Sequence, residues 1–334
     1  MADHATICEC FARDGLQHEE AQVPTDVKIE LLGAFAAAGF TRIEATSYSH
    51  PERVPAFRDA SAVLAGAPRP AGVGYKATCP NPRAVERAIA DLDAGHGATE
   101  LSLLVSATES HTERNMRTTR EGQWARVTEM VRLAAGRFRL VGVISVAFGC
   151  PFEGAVDPGV VAADAARFAE LGVDLVTLGD TTGMATPTAV RNMFRRLPAG
   201  DGTVSDGKAG DGTVSDGKAG GPAPPIVAHF HNTRGTGLAN CFAALEAGCR
   251  NFDSSFGGVG GHPAQIQYGQ GMTGNVCTED LVNLLESEGV GTGLDLDAVM
   301  AASERCERAL GRPLHSMVAR AGFGLVGREV ARHG

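Results

Sequence analysis

Short apolar runs of strand length alternate along this chain with longer stretches of helical period. Eight such runs occur: ATICEC (5–10), FTRIEATS (40–47), AGVGYKAT (71–78), ATELSLLVS (98–106), RLVGVISVAF (139–148), VDLVTLG (173–179), PIVAHFH (225–231) and RNFDSS (250–255). Between them, apolar residues recur at three- and four-residue spacing, the pattern of helices with one buried face. Over 157–171, Asp157 can cap, Pro158 suits the first turn, Val161, Ala165 and Phe168 share a face, and Gly172 can stop the helix. The segment after the seventh strand repeats the scheme with Leu238, Phe242 and Leu245, and Gly248 at its end. Eight strand–helix alternations predict an α/β chain folded as a parallel (β/α)₈ barrel, a TIM barrel with additional C-terminal helices. The whole chain, 1–334, reads as one barrel domain with 295–334 as a helical extension.

One segment breaks the alternation. DGTVSDGKAG is written twice over 201–220 and is followed by GPAPP, with almost nothing apolar to bury. Residues 201–225 therefore read as a flexible Gly-rich insertion without a role of its own. It falls between the sixth helix and the seventh strand, which in a barrel places it on the face opposite the active site.

Composition narrows the function classes. The 334 residues are 43% apolar, enough for a large core, and the formal charge is −9 without a basic cluster. Nucleic acid and anionic membrane surfaces are poor partners for such a chain. No apolar run reaches about 18 residues, and MADHATICEC lacks a basic stretch followed by an apolar one, so a cytoplasmic protein is expected. The eight cysteines contain no C-x-x-C pair and read as reduced thiols, mostly in the core.

In a barrel the chemistry lies beyond the carboxyl ends of the strands. Polar residues gather there: Arg13 and Asp14 after the first strand, Glu44 on the second, Asp180 at the end of the sixth, and His229-Phe230-His231 at the end of the seventh. An H-x-H on a strand puts both imidazoles on one face, where they can grip one metal ion. By itself such a pair more often marks satisfied or surface histidines. Its position, where Asp14 and Asp180 should also converge, favours the metal.

These residues carry a resemblance. ARDGLQHEE (12–20), IEATS (43–47), FGCPFEG (148–154), LGDTTGMATP (178–187), HFHNTRGTGLAN (229–240) and GNVCTEDLVNLLE (274–286) resemble the 3-hydroxy-3-methylglutaryl-CoA lyase family of metal-dependent barrel lyases. The likeness spans about residues 5–310, interrupted by the tandem repeat. It implies that Asp14, His229, His231 and Asn275 bind a divalent cation. Two oxygens and two imidazoles suit Mg²⁺ or Mn²⁺, with Zn²⁺ or Co²⁺ as alternatives. For Asn275 the competing role is a cap on a helix over 278–286. Glu9 and Glu279 match carboxylates near the metal and are expected to orient its ligands, with Cys8 and Cys10 pointing the other way, toward the helices.

The reaction implied is retro-Claisen cleavage of a 3-hydroxyacyl-CoA. Asp180 is the candidate base, working with His229, while Arg13, oriented by Glu44, stabilises enolate charge at the thioester carbonyl. A purely structural Arg13–Glu44 ion pair is the alternative. Lys76, Arg114 and Arg117 read as loop cations able to meet the CoA phosphates, although two family lysines after the fourth strand are here Glu113 and Arg114. No phosphate loop of P-loop spacing exists, so the CoA thioester rests on the resemblance alone. The expected partners are this small molecule and further copies of the chain in a homo-oligomer.

The family's glycine-rich loop after the eighth strand reads Gly-Gly-Cys-Pro, with the cysteine acting as an acid near the enolate. Here SSFGGVGGHPAQ (254–265) carries His262 at that position. An imidazole can donate a proton as a thiol can. An exchangeable metal ligand and a solvated loop residue are the other two readings. The next helix begins only near Thr278, so the glycines read as a hinged lid rather than a phosphate cradle. Two functional rivals remain: a condensing acyltransferase of the isopropylmalate synthase type, and a non-catalytic acyl-CoA or metal-binding barrel. The first usually has Glu where Leu16 stands and a long C-terminal regulatory region. An intact ligand set counts against the second.

Overall fold

A computed structural model describes residues 3–19, 22–134, 136–197, 223–261 and 274–324. Eight strands close into a parallel barrel in sequence order: β1 (Thr6–Glu9), β2 (Arg42–Ser47), β3 (Gly74–Cys79), β4 (Glu100–Ser106), β5 (Arg139–Ser145), β6 (Leu175–Asp180), β7 (Ile226–Phe230) and β8 (Asn251–Ser254). Closure is made by β8 against β1, with Thr6 opposite Asn251 and Glu9 opposite Ser254. Each sequence-predicted strand is present, shortened by up to three residues at one or both ends, while β3 and β6 run one residue past the predicted end, to Cys79 and Asp180.

The crossovers carry α1 (Thr25–Ala37), α2 (Ala60–Gly66), α3 (Pro82–Asp93), α4 (Glu109–Met116), α5 (Arg120–Ala134), α6 (Pro158–Glu170), α7 (Pro187–Arg196) and α8 (Gly237–Glu246). Three of these helices begin with the same chemistry, a polar cap followed by proline. Asn81, Asp157 and Thr186 accept from the backbone N–H of Ala84, Gly159 and Ala189, and Pro82, Pro158 and Pro187 fix the first turn. In α6 the expected Val161, Ala165 and Phe168 are buried. In α8 the face differs from the expected one: Asn240, Cys241, Ala244 and Leu245 are buried, while Leu238 and Phe242 are only half-buried. Small residues let this helix lie close on the barrel, which moves the buried stripe toward them. Helices α9 (Thr278–Ser287), α10 (Leu296–Leu310) and α11 (Val318–Ala321) come after β8. Among the described residues no helix is long and apolar enough to cross a membrane. All eight cysteines are buried free thiols.

Two cores of unequal size result. The large one fills the layer between strands and helices. The small one, Val141, Leu175 and Val227 with Val143 against them, lies inside the barrel. It is flanked by a buried ion pair, Arg42 to Glu100, at 2.5 and 3.2 Å. Above these the inward positions turn polar, so the strands alternate instead of reading as continuous apolar runs. The polar half of the barrel is the floor of a cavity that opens at the carboxyl ends of the strands.

The 201–225 insertion lies almost wholly outside the described residues, as does its expected position on the far face. Its attachments are the end of α7 and the start of β7, both at the amino-terminal side of the strands. Deleting 201–220 should therefore keep specific activity within a factor of about three, because that side of a barrel serves stability rather than chemistry. Circular dichroism beside a turnover assay checks this, and a large loss of turnover in a folded variant would overturn it.

Candidate functional site

The cavity has a volume of about 890 Å³ and is lined among others by Arg13, Asp14, Glu44, Lys76, His229, His231 and Asp253. Its rim is built locally. After β1 the chain makes one π-helical turn, Phe11–Gly15, closed by Gly15 N–H on Cys10 O at 3.1 Å. That turn rolls Arg13 and Asp14 over the mouth. The Asp14 carboxylate meets His231 Nε2 at 3.7 Å and His229 Nε2 at 3.9 Å, and the two imidazole Nε2 atoms are 3.2 Å apart.

Asn275 reaches the same point by a backbone device rather than by its place in a motif. Residues 274–278 pair with the end of β7: Val276 N–H donates to Phe230 O, Asn232 N–H to Gly274 O, and His231 faces Asn275 as an isolated bridge. The Asn275 amide then donates to Asp14 Oδ2 at 2.8 Å and to Val259 O at 3.0 Å. It does not cap the following helix, whose N-cap is Cys277, so the capping alternative is set aside. The Asn275 side-chain oxygen, Oδ1, is buried and accepts no hydrogen bond.

Burial works against charge on Asp14, but His231, Arg13 and His229 together hold its carboxyl well below the usual carboxylate range. For His229 burial is likewise opposed, by Asp253 and Asp14, and the imidazole is drawn above its ordinary value. Burial wins at His231, which is pushed down. The site thus holds an ionised carboxylate against two unlike imidazoles.

This donor set fits a divalent cation. Three ligand atoms from Asp14, His229 and His231 lie within 4.8 Å of one another, the spacing of donors about 2.0–2.2 Å from a shared ion. The lone Asn275 Oδ1 is a fourth, hard donor without a partner. Charge points the same way. Among the described residues the buried carboxylates Asp14, Glu44 and Asp253 form ion pairs with two cations other than the imidazoles, Arg13 and Lys76, one positive charge fewer than the carboxylates present.

Arg13 donates to Asp14 Oδ1 at 2.7 Å, while its Nε stands 3.6 Å from Glu44 Oε1 without a hydrogen bond. The Arg13–Glu44 pair is therefore loose, and the guanidinium lies on the cavity wall. Glu44 is fixed instead by Thr78 Oγ1 at 2.7 Å. Asp180 does not line the cavity. Its Oδ1 accepts the N–H groups of Met184 and Ala185 at 2.7 and 3.0 Å, its Oδ2 is buried without a partner, and burial pushes the carboxyl up to about 7.

Glu9 and Glu279 touch none of the four candidate ligands. Glu9 accepts from Phe11 N–H, Phe256 N–H and Thr278 Oγ1 at 2.8, 3.2 and 2.6 Å, tying together the three segments that carry the site. Burial pushes its carboxyl up to about 8. Glu279 accepts from Gly257 N–H, the Cys277 thiol and Ser303 on the same outer side. The expected directions of β1 are consequently reversed. Cys8 and Cys10 group with Asp253 inside the barrel, and Glu9 faces the helices, because inward and outward positions alternate strictly along a strand. Lys76 is not a loop cation either. It sits buried on β3, with Nζ 3.5 Å from Asp253 Oδ2 and 3.6 Å from Glu44 Oε2.

Sequence reasoning missed Asp253, whose Oδ2 lies 3.3 Å from His229 Nδ1. Its signal was a carboxylate at an inward position of RNFDSS. His262 lies outside the described residues, which end on that side at Gly261. The glycines before it have a reason beyond hinging. Gly257, Gly258 and Gly260 have φ of 58°, 66° and 135°, and a Cβ on Gly260 would overlap the Asn275 amide.

Comparison with known proteins matches residues 4–201 and 218–305 to the HMGL-like family model. The chain belongs to the HMGL-like family. It is 36% identical over 316 residues to the mitochondrial hydroxymethylglutaryl-CoA lyase of Rattus norvegicus, covering 94% of this chain and 88% of that one. It is 34% identical over 332 residues to the hydroxymethylglutaryl-CoA lyase of Pseudomonas mevalonii, covering 98% of each. The solved HMG-CoA lyase of A. baumannii, in complex with coenzyme A and 3-methylmalate, superposes with a TM-score of 0.82 at 36% identity over 98% of both chains.

The contact between Gly260 and Asn275 can be tested directly. Gly260→Ala adds a methyl group where the loop backbone rests on Asn275 and forces a side chain into a φ that only glycine adopts freely. We expect a folded protein whose divalent-metal affinity drops about tenfold or more, since a displaced ligand shell typically costs that much. Titration with Mn²⁺ followed by electron paramagnetic resonance reads it, and unchanged affinity would show that the loop does not position Asn275.

Proposed function

We propose that this HMGL-like protein is a divalent-metal-dependent carbon–carbon lyase that cleaves a 3-hydroxyacyl-CoA of the 3-hydroxy-3-methylglutaryl-CoA type. The observation that carries the reading is the convergence of Asp14, His229, His231 and Asn275 on one point beside Arg13. A non-catalytic barrel would have no use for a guanidinium held loosely at the edge of such a cluster. Full-length similarity to lyases favours cleavage over the reverse bond formation.

Asp14, His229, His231 and Asn275 would hold the ion, with Mg²⁺ or Mn²⁺ the metals suited to this set. When bound, the ion polarises the substrate hydroxyl and lowers its pKa. The chain's own groups then manage the proton and the charge. The hydroxyl proton would pass to a base on the cavity wall, and Asp180, which does not line the cavity, is not placed to take it. As the C–C bond breaks, electrons move onto the thioester oxygen, and the Arg13 guanidinium meets the developing charge. The enolate carbon must then receive one proton, so that the proton lost by the hydroxyl is balanced by the one gained at carbon. His262 is assigned to that donation.

The rim supports an acyl-CoA as the substrate class. Arg53, Arg114, Arg117 and Arg126 line the cavity wall, and Arg114 is held over the Phe152 ring at 4.3 Å. Such cations can meet phosphates bidentately. The floor carries Ser102 and Thr177, whose hydroxyls are buried without partners, which suits a short polar acyl group better than an alkyl chain.

Asp14→Ala and His229→Ala should each abolish stoichiometric metal uptake and remove at least about a hundredfold of turnover. Metal analysis of the purified variants decides it, and full metal content in both would sink the site assignment. His262→Ala should lower turnover by about 10²–10⁴ with metal affinity nearly unchanged, and His262→Cys should restore part of the activity. Weakened metal binding in the alanine variant would make His262 a ligand instead. Unchanged turnover on a panel of 3-hydroxyacyl-CoA thioesters would remove it from the chemistry.

A further inference from the structure

The charged groups around the cavity form a closed ring. Starting at the rim, Arg13 donates to Asp14 at 2.7 Å and faces Glu44 at 3.6 Å. Glu44 Oε2 faces Lys76 Nζ at 3.6 Å, and Lys76 Nζ faces Asp253 Oδ2 at 3.5 Å. Asp253 Oδ2 meets His229 Nδ1 at 3.3 Å, and His229 Nε2 returns to Asp14 at 3.9 Å. Every neighbour alternates in charge or in hydrogen-bonding role. Lys76 and Asp253 are the members farthest along the ring from the Arg13–Asp14 rim, with side chains 4% and 3% exposed.

We propose that Lys76 and Asp253 are positioning residues for the metal site: the ammonium holds the Asp253 carboxylate inside the barrel so that it accepts the His229 Nδ1 proton and leaves Nε2 bare toward Asp14 and His231. The inference rests on the proposed metal site and adds to it the source of His229's tautomer.

What each atom can do fixes the direction of every bond in this chain of groups. An imidazole with one proton donates from one nitrogen and accepts at the other, so its partner on the Nδ1 side decides which nitrogen can serve a metal. A carboxylate can only accept, and Asp253 at 3.3 Å from Nδ1 is nearer than Asp14 at 3.9 Å from Nε2, which favours the proton on Nδ1. A carboxylate so deeply buried is costly to hold beside Glu44 and Asp14 without a counter-charge. Lys76 is the cation within reach of Asp253 Oδ2, and the same ammonium balances Glu44, which faces Arg13. One side chain therefore connects the ligand half of the site to the half that would meet the thioester.

The experiment is a Mn²⁺ titration of metal-free full-length protein, wild type beside Lys76→Met, Lys76→Arg and Asp14→Ala, with free Mn²⁺ read by electron paramagnetic resonance. Lys76→Met should raise the Mn²⁺ dissociation constant by about ten- to hundredfold, the usual range for partners of metal ligands, and Lys76→Arg should recover most of the loss. A merely structural lysine would lower the melting temperature in the methionine variant and leave the dissociation constant where it was. Because the methionine variant could unfold, ¹⁵N-histidine NMR of the metal-free wild type gives a second readout, with His229 expected as the Nδ1–H tautomer. A folded Lys76→Met protein with wild-type Mn²⁺ affinity, or an Nε2–H tautomer at His229, overturns the inference while leaving the metal site standing. Wild-type protein that takes up no more Mn²⁺ than Asp14→Ala overturns the metal reading itself, and this inference with it.

Discussion

An excess of buried negative charge at the mouth of the barrel is the constraint on which the rest of the structure turns. Asp14, Glu44 and Asp253 are all nearly inaccessible to solvent, and burying a carboxylate without compensation is among the costliest things a fold can do. Arg13 and Lys76 offset part of that charge. The remainder can be met only by a further positive charge or by protons, and the unpartnered Asn275 Oδ1 beside two imidazole Nε2 atoms 3.2 Å apart marks where a cation belongs. The barrel supplies the rigidity that keeps these like charges from relaxing apart. Each sits on a strand or on a turn fixed by backbone hydrogen bonds.

Holding that geometry falls to groups outside the barrel. Glu9 points away from the cavity and joins the turn after β1, the glycine loop after β8 and the start of α9 through three hydrogen bonds. Those segments carry Asp14, the backbone lying on Asn275, and Asn275 itself. A single outward carboxyl thereby fixes the relative positions of inward ones, acting through the main chain instead of through ligand side chains. Its nearest charged companion, Glu279, serves the same loop through Gly257. Burial raises both carboxyls, Glu9 to about 8, in contrast to Asp14, which its neighbours hold down.

The fold was legible in the sequence because strand and helix periods differ and because capping residues with proline mark helix starts, as at Asp157-Pro158 and Thr186-Pro187. The convergence of Asp14, His229 and His231 was legible because strand ends are where a barrel exposes polar groups. Side-chain direction was harder. In CEC (8–10) the family likeness put Glu9 near the metal and so turned the two cysteines toward the helices, yet the structure has them on the opposite sides, with Cys8 and Cys10 beside Asp253 and Glu9 among the outer segments. Lys76 looked like a loop cation because lysine is seldom buried. Only its pairing across strands with Asp253 and Glu44, 177 and 32 positions away in sequence, shows why it is tolerated. Such long-range charge pairing leaves no periodic trace in a sequence.

The glycines of SSFGGVGG answer to the same crowded mouth of the barrel. A loop that must lie on Asn275 and on the Asp14 turn has no room for side chains on that face, and its backbone enters positive φ at three positions. Glycine is the residue that meets both demands without strain. At Gly258 and Gly260 the requirement is therefore set by Asn275 and Asp14 beneath the loop, and at Gly257 by Leu314.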